Sequence, residues 1–186
     1  YDEDEVAKRI GIPCFVKPAA DGSSFGVSKF KNADRLAPAL RVAFMESNEV
    51  MIEGLLSGVE ISQGIYKTRE KSVVLPATEV VSEDEFFDYA AKYNGRVKEI
   101  TPARLSPETT KAVAEESSRI YDLLRANGII RIDYIISKDK DGKDQVNMLE
   151  VNTTPGMTAT SFIPQQVKAA GLDIKDVLSD IVENQF

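Results

Sequence analysis

The residues able to do chemistry fall in four places along the chain. Lys17 stands just before the small-residue run Gly22-Ser23-Ser24-Phe25-Gly26. Such a loop between two strands lets backbone N–H groups approach a polyanion, its hydroxyls add donors, and the lysine brings compensating charge. An ordinary hairpin turn beside a solvated lysine has the same composition, and the Gly-Lys-Ser/Thr order of a Walker loop is absent. Farther on come Arg131-Ile132-Asp133 and Glu150-Val151-Asn152. Residues two apart share a strand face, so Glu150 and Asn152 point together and Asp133 can stand opposite them on a partner strand. Two carboxylates and an amide oxygen on one face repel unless a cation sits between them, and magnesium completed by phosphates and water suits that set. Isolated acids on a solvated sheet face would read the same way. Arg131 either neutralises Asp133 or steadies negative charge developing on a phosphoryl or acyl oxygen.

The third place, Phe87-Asp88-Tyr89-Ala90-Ala91-Lys92-Tyr93-Asn94-Gly95, mixes aromatics with a cation in a stretch without strong periodicity. A lid over a charged ligand has this character, and so do surface tyrosines packed back on a fold. The fourth, Glu53-Gly54-Leu55-Leu56 with Glu60, offers carboxylates around a glycine-containing link; alone they read as solvated.

The elements that must carry these groups follow from periodicity and stop signals. Residues 1–10 read as a helix end closed by Gly11 and Pro13. Cys14–Lys17 and Val27–Phe30 read as a hairpin with a glycine-serine tip. Asn32 caps a predicted helix to about Ser47, with Leu36, Leu40, Ala43 and Phe44 on one face. Val50–Glu53, Val59–Tyr66 and Ser72–Val81 read as strands, the last with Pro76 at an edge or bulge. Residues 82–105 read as a long loop holding Phe86, Phe87, Tyr89 and Tyr93. Ser106-Pro107-Glu108 opens the clearest helix, with Val113, Ser117, Ile120, Tyr121 and Leu124 down one face and Gly128 closing it. Ile129–Ser137 and Gln145–Val151 form a second hairpin around a polar turn. A short helix after Pro164 ends at Gly171, and a last one runs from Asp173 to about Asn184.

Composition narrows the function classes. The 186 residues, 20.5 kDa and 42% apolar, allow one domain or two small lobes. Net charge is −7 and pI about 4.8, a field that repels phosphate backbones and anionic membranes, so neither nucleic acid nor membrane is an expected partner. No apolar run is long enough to span a bilayer. One cysteine, Cys14, gives no intrachain disulfide, and no histidine means no Ser-His or Cys-His nucleophile pair and none of the usual zinc sites. A metal must be held by oxygens, and the setting expected is reducing and cytoplasmic.

Taken in order, Val16-Lys17-Pro18, Gly22 to Lys29, Ile52 to Glu60, Phe87 to Tyr93, Arg131-Ile132-Asp133 and Glu150-Val151-Asn152-Thr153-Thr154-Pro155-Gly156-Met157-Thr158 resemble the D-alanine:D-alanine ligases of the ATP-grasp superfamily. Arg-x-Asp followed by Glu-x-Asn is common to many ATP-grasp enzymes; the Asn-Thr-Thr-Pro-Gly-Met-Thr ending and the Asp-Tyr-x-Ala-Lys-Tyr loop are particular to the ligases. The resemblance implies an α+β ATP-grasp fold of two lobes with mainly antiparallel sheets sandwiching a nucleotide. Residues 1–58 would be part of the central lobe and 59–186 the C-terminal lobe.

Roles follow by resemblance. Lys17 is similar to the lysine on the ATP phosphates, and Ser23 and Ser24 to the flap over them. Glu53, Gly54, Leu55 and Leu56 resemble the hinge that receives adenine, Glu60 the ribose-binding acid, and Phe15, Phe86 and Leu149 the adenine walls. Lys92 and Tyr93 resemble the loop pair that reaches the terminal phosphate and closes the site. Asp133, Glu150 and Asn152 resemble the ligands of two Mg2+ ions, with Mn2+ as a substitute. Arg131 and the Gly156 N–H would stabilise the tetrahedral intermediate, and Ser161 would bind the carboxylate of the second D-alanine. Phe162 departs from the family's usual Leu or Met, which alters the expected second subsite.

The activity implied is ATP-dependent joining of two D-alanines through an acyl phosphate, for peptidoglycan precursors. ATP brings roughly four negative charges and two Mg2+ ions bring four positive ones, so an acidic chain can bind it. The family also carries an N-terminal domain and an earlier phosphate lysine that this sequence does not contain. The expectation is therefore an ATP-binding fragment, inactive alone, from an enzyme that is a homodimer at full length. Another ATP-grasp carboxylate–amine ligase, for instance one making D-alanyl-D-lactate or D-alanyl-D-serine, is one rival reading, opposed by Tyr93 beside Lys92. A non-catalytic nucleotide-binding module is another, opposed by the intact Asp133, Glu150 and Asn152.

Overall fold

The structure, a computed structural model, describes residues 2–19, 26–30, 36–82 and 97–186. The described residues divide into two compact units, one ending at Leu56 and the other beginning at Ser57. Asn32, Ser23, Ser24, Phe86, Phe87, Tyr89, Lys92 and Tyr93 lie outside the described residues.

The first unit is a three-stranded antiparallel sheet backed by helices. Helix α1 (Glu3–Ile10) starts under the Asp2 carboxylate, which accepts the Asp4 and Glu5 N–H groups, and stops at Gly11, whose φ of 88° suits glycine. Strand β1 (Cys14–Pro18) lies between β2 (Ser28–Phe30) and β3 (Val50–Gly54), with Cys14 opposite Phe30 on one side and Gly54 on the other. Alternation turns Cys14 and Val16 inward onto Leu36, Ala39, Leu40 and Ala43 of α2 (Leu36–Glu46), and leaves Phe15 and Lys17 on the opposite face. Phe44, expected on the buried face, is 53% exposed. It sits about 80° around the helix from Leu36, and Ala39 fills the face instead.

The second unit is a six-stranded antiparallel sheet. Its main path runs β7 (Val97–Ile100), β6 (Thr78–Ser82), β4 (Val59–Lys67), β8 (Ile129–Lys138), β9 (Asp144–Asn152), and β5 (Ser72–Val74) also pairs β4. The single strand expected over Ser72–Val81 is therefore two. Pro76 has no N–H for the ladder, and the chain leaves the sheet between them. Val97–Ile100, expected within a loop, is an edge strand among the described residues: its one neighbour there is β6, and Lys98 and Glu99 are exposed, so it shows no apolar period.

One face of this sheet packs Ile61, Ile65, Ile130, Ile132, Tyr134 and Ile136 against Val113, Ile120 and Tyr121 of α3 (Pro107–Leu123). Each such fully buried side chain contributes about 1.5–3 kcal/mol. Ser106 caps α3 through the Thr109 N–H, with Pro107 in the first turn, as the sequence predicts. Its C-terminus differs from expectation. Arg125, at φ 48°, takes the left-handed position, and its N–H and that of Ala126 close on Asp122 and Tyr121. Gly128 comes after the helix end and accepts the Tyr121 hydroxyl, and Leu124 is exposed.

The other face packs Tyr66 and Leu75 against α4 (Phe162–Ala169) and α5 (Ile174–Glu183) through Ile163, Val167 and Val177. Helix α4 begins before Pro164 rather than after it; a proline in the first turn lacks an N–H that has no partner there. Gly171 (φ 71°) ends α4 and Asp173 caps α5 through the Lys175 N–H.

Candidate active site

The second face of the larger sheet carries the polar groups. Strand β8 sends Ile130, Ile132, Tyr134 and Ile136 into the core, so Arg131 and Asp133 face the other way. Asp133 lies directly opposite Glu150 and Arg131 opposite Asn152. A bulge makes this possible. From the turn, Ile136 pairs Val146 and Tyr134 pairs Met148, but Asp133 pairs Glu150, leaving Leu149 as the extra residue of β9. Unbroken alternation from core-facing Val146 would turn Glu150 and Asn152 inward; the shift turns Val151 to the core and brings the two polar residues beside Asp133.

The resulting group is tightly connected. Arg131 donates through Nε to Asp133 Oδ1 at 2.9 Å and through Nη2 to Oδ2 at 2.8 Å, a two-pronged charged grip. Ser62, opposite Asp133 on β4, donates its hydroxyl to Oδ1 at 2.5 Å. Asn152 Nδ2 donates to Asp133 Oδ2 at 3.1 Å and to Glu150 Oε1 at 3.4 Å, and Arg131 Nη2 lies 4.0 Å from Glu150. The Asp133 side chain is 13% exposed and that of Glu150 59%. Asp133 is thus a fixed carboxylate and Glu150 an accessible one beside it. The Arg131 guanidinium carbon lies over the Phe162 ring, 5.5 Å from its centroid.

Among the described residues no three His, Cys, Asp or Glu side chains group as a metal site. The donor set at this position is two carboxylates and one amide, all able to present oxygen, which fits a hard divalent cation once the Asn152 amide turns its oxygen inward. In the present arrangement the Asn152 nitrogen stands between the two carboxylates.

The loop after β9 brings Gly156 against Ser161. A Cβ on Gly156 would lie 2.8 Å from Ser161 Oγ, so only glycine permits this approach. Ser161 is the N-cap residue of α4, yet its hydroxyl makes no cap bond. It accepts the Thr158 N–H at 3.2 Å and shares a 2.8 Å bond with the Thr158 hydroxyl, so the first N–H groups of α4 are not capped by it.

In the smaller unit, Lys17 Nζ and Glu53 Oε2 form a 2.6 Å ion pair on the face away from the core. Glu53 lies across from Phe15, and Lys29 Nζ stands 5.9 Å from the Phe15 ring centroid. Gly54 ends β3, where a Cβ would meet the Ile10 carbonyl at 3.0 Å, and the Leu55 N–H bonds to Pro13 O. Leu56 is exposed. Glu60, half-buried on β4, shares its sheet face with Ser62.

Three further features have little or no sign in the sequence. These are the Leu149 bulge, the Ser62 hydroxyl on Asp133, and Gln166, a fully buried α4 side chain that accepts the Gly64 N–H and donates to Ser62 O, each at 2.8 Å. Only Gly64 inside an otherwise β-branched strand hints at the last, since a mid-strand glycine marks a close approach.

A family model described as D-ala D-ala ligase C-terminus matches residues 2–183. A D-alanine--D-alanine ligase of Bacteroides fragilis is 60% identical over 184 residues, 99% of this chain and 56% of the relative. The crystal structure of a D-alanine--D-alanine ligase from Bacillus anthracis complexed with ATP superposes with a TM-score of 0.75 at 33% identity, covering 99% of this chain and 56% of that one. The VanG D-Ala:D-Ser ligase of Enterococcus faecalis gives 0.82 at 30% identity, covering 98% and 52%. The chain thus spans about half the length of these relatives.

Proposed function

The chain belongs to the D-ala D-ala ligase C-terminus family, with the ATP-grasp fold, and from that premise we propose that it supplies the nucleotide- and metal-binding part of an enzyme joining two D-alanines at the expense of ATP. The observation that carries this reading is the Arg131, Asp133, Glu150 and Asn152 group assembled by the Leu149 bulge. A sheet that placed those side chains for stability alone would gain little from a cluster of acids on a partly exposed face.

In this reading Lys17 binds phosphate oxygens, which take the place of Glu53 on its ammonium, and Glu53 turns to the adenine with Gly54, Leu55 and Leu56. Phe15, Phe86 and Leu149 wall the base, and Glu60 accepts from the ribose. Ser23, Ser24, Lys92 and Tyr93 close over the phosphates. Residues 1–58 act as part of the central lobe and 59–186 as the C-terminal lobe. Asp133, Glu150 and Asn152 hold Mg2+, or Mn2+ in its place, which neutralises phosphate charge when bound.

The reaction has two stages. The carboxylate of the first D-alanine takes the γ-phosphoryl group, giving an acyl phosphate and ADP. The amine of the second then attacks the acyl carbon, and phosphate leaves. Arg131, held by Asp133 and Phe162, presents its remaining N–H groups to the oxyanion together with the Gly156 N–H. Ser161 and the uncapped start of α4 receive the carboxylate of the second D-alanine, because a helix N-terminus favours an anion.

Peptidoglycan precursor synthesis, a cytoplasmic setting and a homodimer belong to the same proposal. No described helix is long and apolar enough to cross a membrane. D-serine as acceptor is the second reading, favoured by the VanG likeness and by Phe162 at the acceptor side. Phosphate release coupled to chromatography of the products, run on the full-length enzyme with D-alanine alone and with D-serine added, tests both. The expected product is D-alanyl-D-alanine. A mixed dipeptide as main product selects the second reading, and no amino-acid-dependent phosphate release overturns the ligase reading.

A further inference from the structure

We propose that Ser62 is a positioning residue: its hydroxyl fixes Asp133 so that Oδ2, and not Oδ1, is the oxygen offered to a divalent cation. This deepens the metal-binding reading and rests on it.

All four acceptor positions of the Asp133 carboxylate have donors. Oδ1 receives Ser62 Oγ at 2.5 Å and Arg131 Nε at 2.9 Å, and Oδ2 receives Arg131 Nη2 at 2.8 Å, Asn152 Nδ2 at 3.1 Å and a longer share of Arg131 Nε at 3.3 Å. The two oxygens differ in what a cation must displace. On Oδ2 one donor is a neutral amide that can turn its own oxygen to the same cation. On Oδ1 one donor is the hydroxyl of Ser62, a residue 1% exposed and held in the sheet directly across from Asp133. Without that hydroxyl, and with the Asn152 amide turned to the cation, Arg131 alone orients the carboxylate, and a planar fork admits rocking about its axis that a third donor stops.

Ser62 is itself immobilised. On the β4 edge that meets β5 and β6, the two register pairings stop short of Gln63 and Gly64, which pair β8 on the other edge, and there the Leu75 N–H reaches Gly64 O at 2.9 Å. The Gln166 amide closes that gap, donating to Ser62 O at 2.8 Å and to Thr78 Oγ1 at 3.1 Å and accepting the Gly64 N–H at 2.8 Å. The same helix presents Phe162 to Arg131. Helix α4 therefore braces both members of the Arg131–Asp133 pair, one through an aromatic face and one through the β4 backbone. Groups behind a metal ligand that orient it typically change metal affinity 10- to 100-fold.

The test is Mn2+ binding to the full chain with a non-hydrolysable ATP analogue, followed by electron paramagnetic resonance, for wild type, Ser62→Ala, Ser62→Thr and Ser117→Ala. Ser117 is a buried serine bonded to the Tyr134 hydroxyl at 2.7 Å on the opposite face, and it controls for the loss of a buried hydroxyl in general. The expected result is roughly tenfold weaker Mn2+ binding in Ser62→Ala, with Ser62→Thr and Ser117→Ala near wild type. Equal affinity in Ser62→Ala, or an equal loss in Ser117→Ala, overturns the positioning role and leaves the metal reading standing. Failure of the wild type to bind Mn2+ overturns the metal reading and this inference together.

Discussion

Phe162 supports Arg131 from the side that Asp133 does not: the carboxylate holds the edge of the guanidinium and the ring lies 5.5 Å from its carbon. The ring adds a contact to a side chain whose hydrogen bonds go to Asp133 and whose Nη2 lies 4.0 Å from Glu150. Exposed to partly desolvated cation–aromatic contacts are worth about 0.5–1 kcal/mol. Phe162→Leu is expected to lower kcat of the full-length enzyme roughly twofold to fivefold, the rate equivalent of that energy, with the KM for ATP unchanged. Steady-state kinetics check it. An unchanged kcat shows that Asp133 alone orients Arg131.

Gly64 is required by packing, not by backbone conformation. A Cβ there would lie 2.6 Å from Gln166 Oε1 and 2.7 Å from Ile163 Cδ1, both on α4 and both fully buried. Gly64→Ala is expected to cost about 1–3 kcal/mol in urea unfolding, because neither neighbour can move without opening the α4 interface. It should also weaken cation binding by displacing the Gln166 amide from Ser62 O.

Glu79 ties down the segment after β7. Its nearly buried carboxylate accepts from Arg104 Nε at 2.9 Å, from Nη2 at 2.5 Å and from the Arg104 N–H at 3.1 Å. The Arg104 side chain above all holds the Glu79 carboxyl below its ordinary value of 4.5, against the opposing effect of burial. The folded state therefore binds this proton more weakly than the unfolded state. The contribution is complete above the ordinary carboxylate range and is lost as pH falls through the depressed folded value. Urea midpoints measured from about pH 6 to about pH 3 should fall less steeply for Glu79→Gln than for wild type.

The carriers of the site were legible in the sequence because they break a pattern. Arg131 and Asp133 interrupt an isoleucine-rich strand at alternate positions, and the turn at Lys138 to Gly142 announces its antiparallel partner. The caps at Ser106 and Asp173 and the stop at Gly171 were equally plain. What stayed hidden depends on long-range register or on contacts between distant segments. Leu149 looks like any strand residue, and only pairing from the turn inward makes it the extra one. Gln166 has the spacing of an ordinary helix position, and its use as a substitute strand for Ser62 and Gly64, over a hundred residues away, has no local signature. Val97–Ile100 carries two charges in four residues because an edge strand needs only one satisfied side.

Magnesium dependence of nucleotide binding bears most directly on the Asp133, Glu150 and Asn152 group. Glu150 is more than half exposed and lies beside a like charge, so Glu150→Gln should leave stability within about 0.5 kcal/mol of wild type. Calorimetric titration of a non-hydrolysable ATP analogue into both proteins, with and without Mg2+, isolates the site from folding. The predicted result is binding to wild type that requires Mg2+ and is lost or sharply weakened in Glu150→Gln. Equal binding with and without Mg2+, in both proteins, would contradict the account.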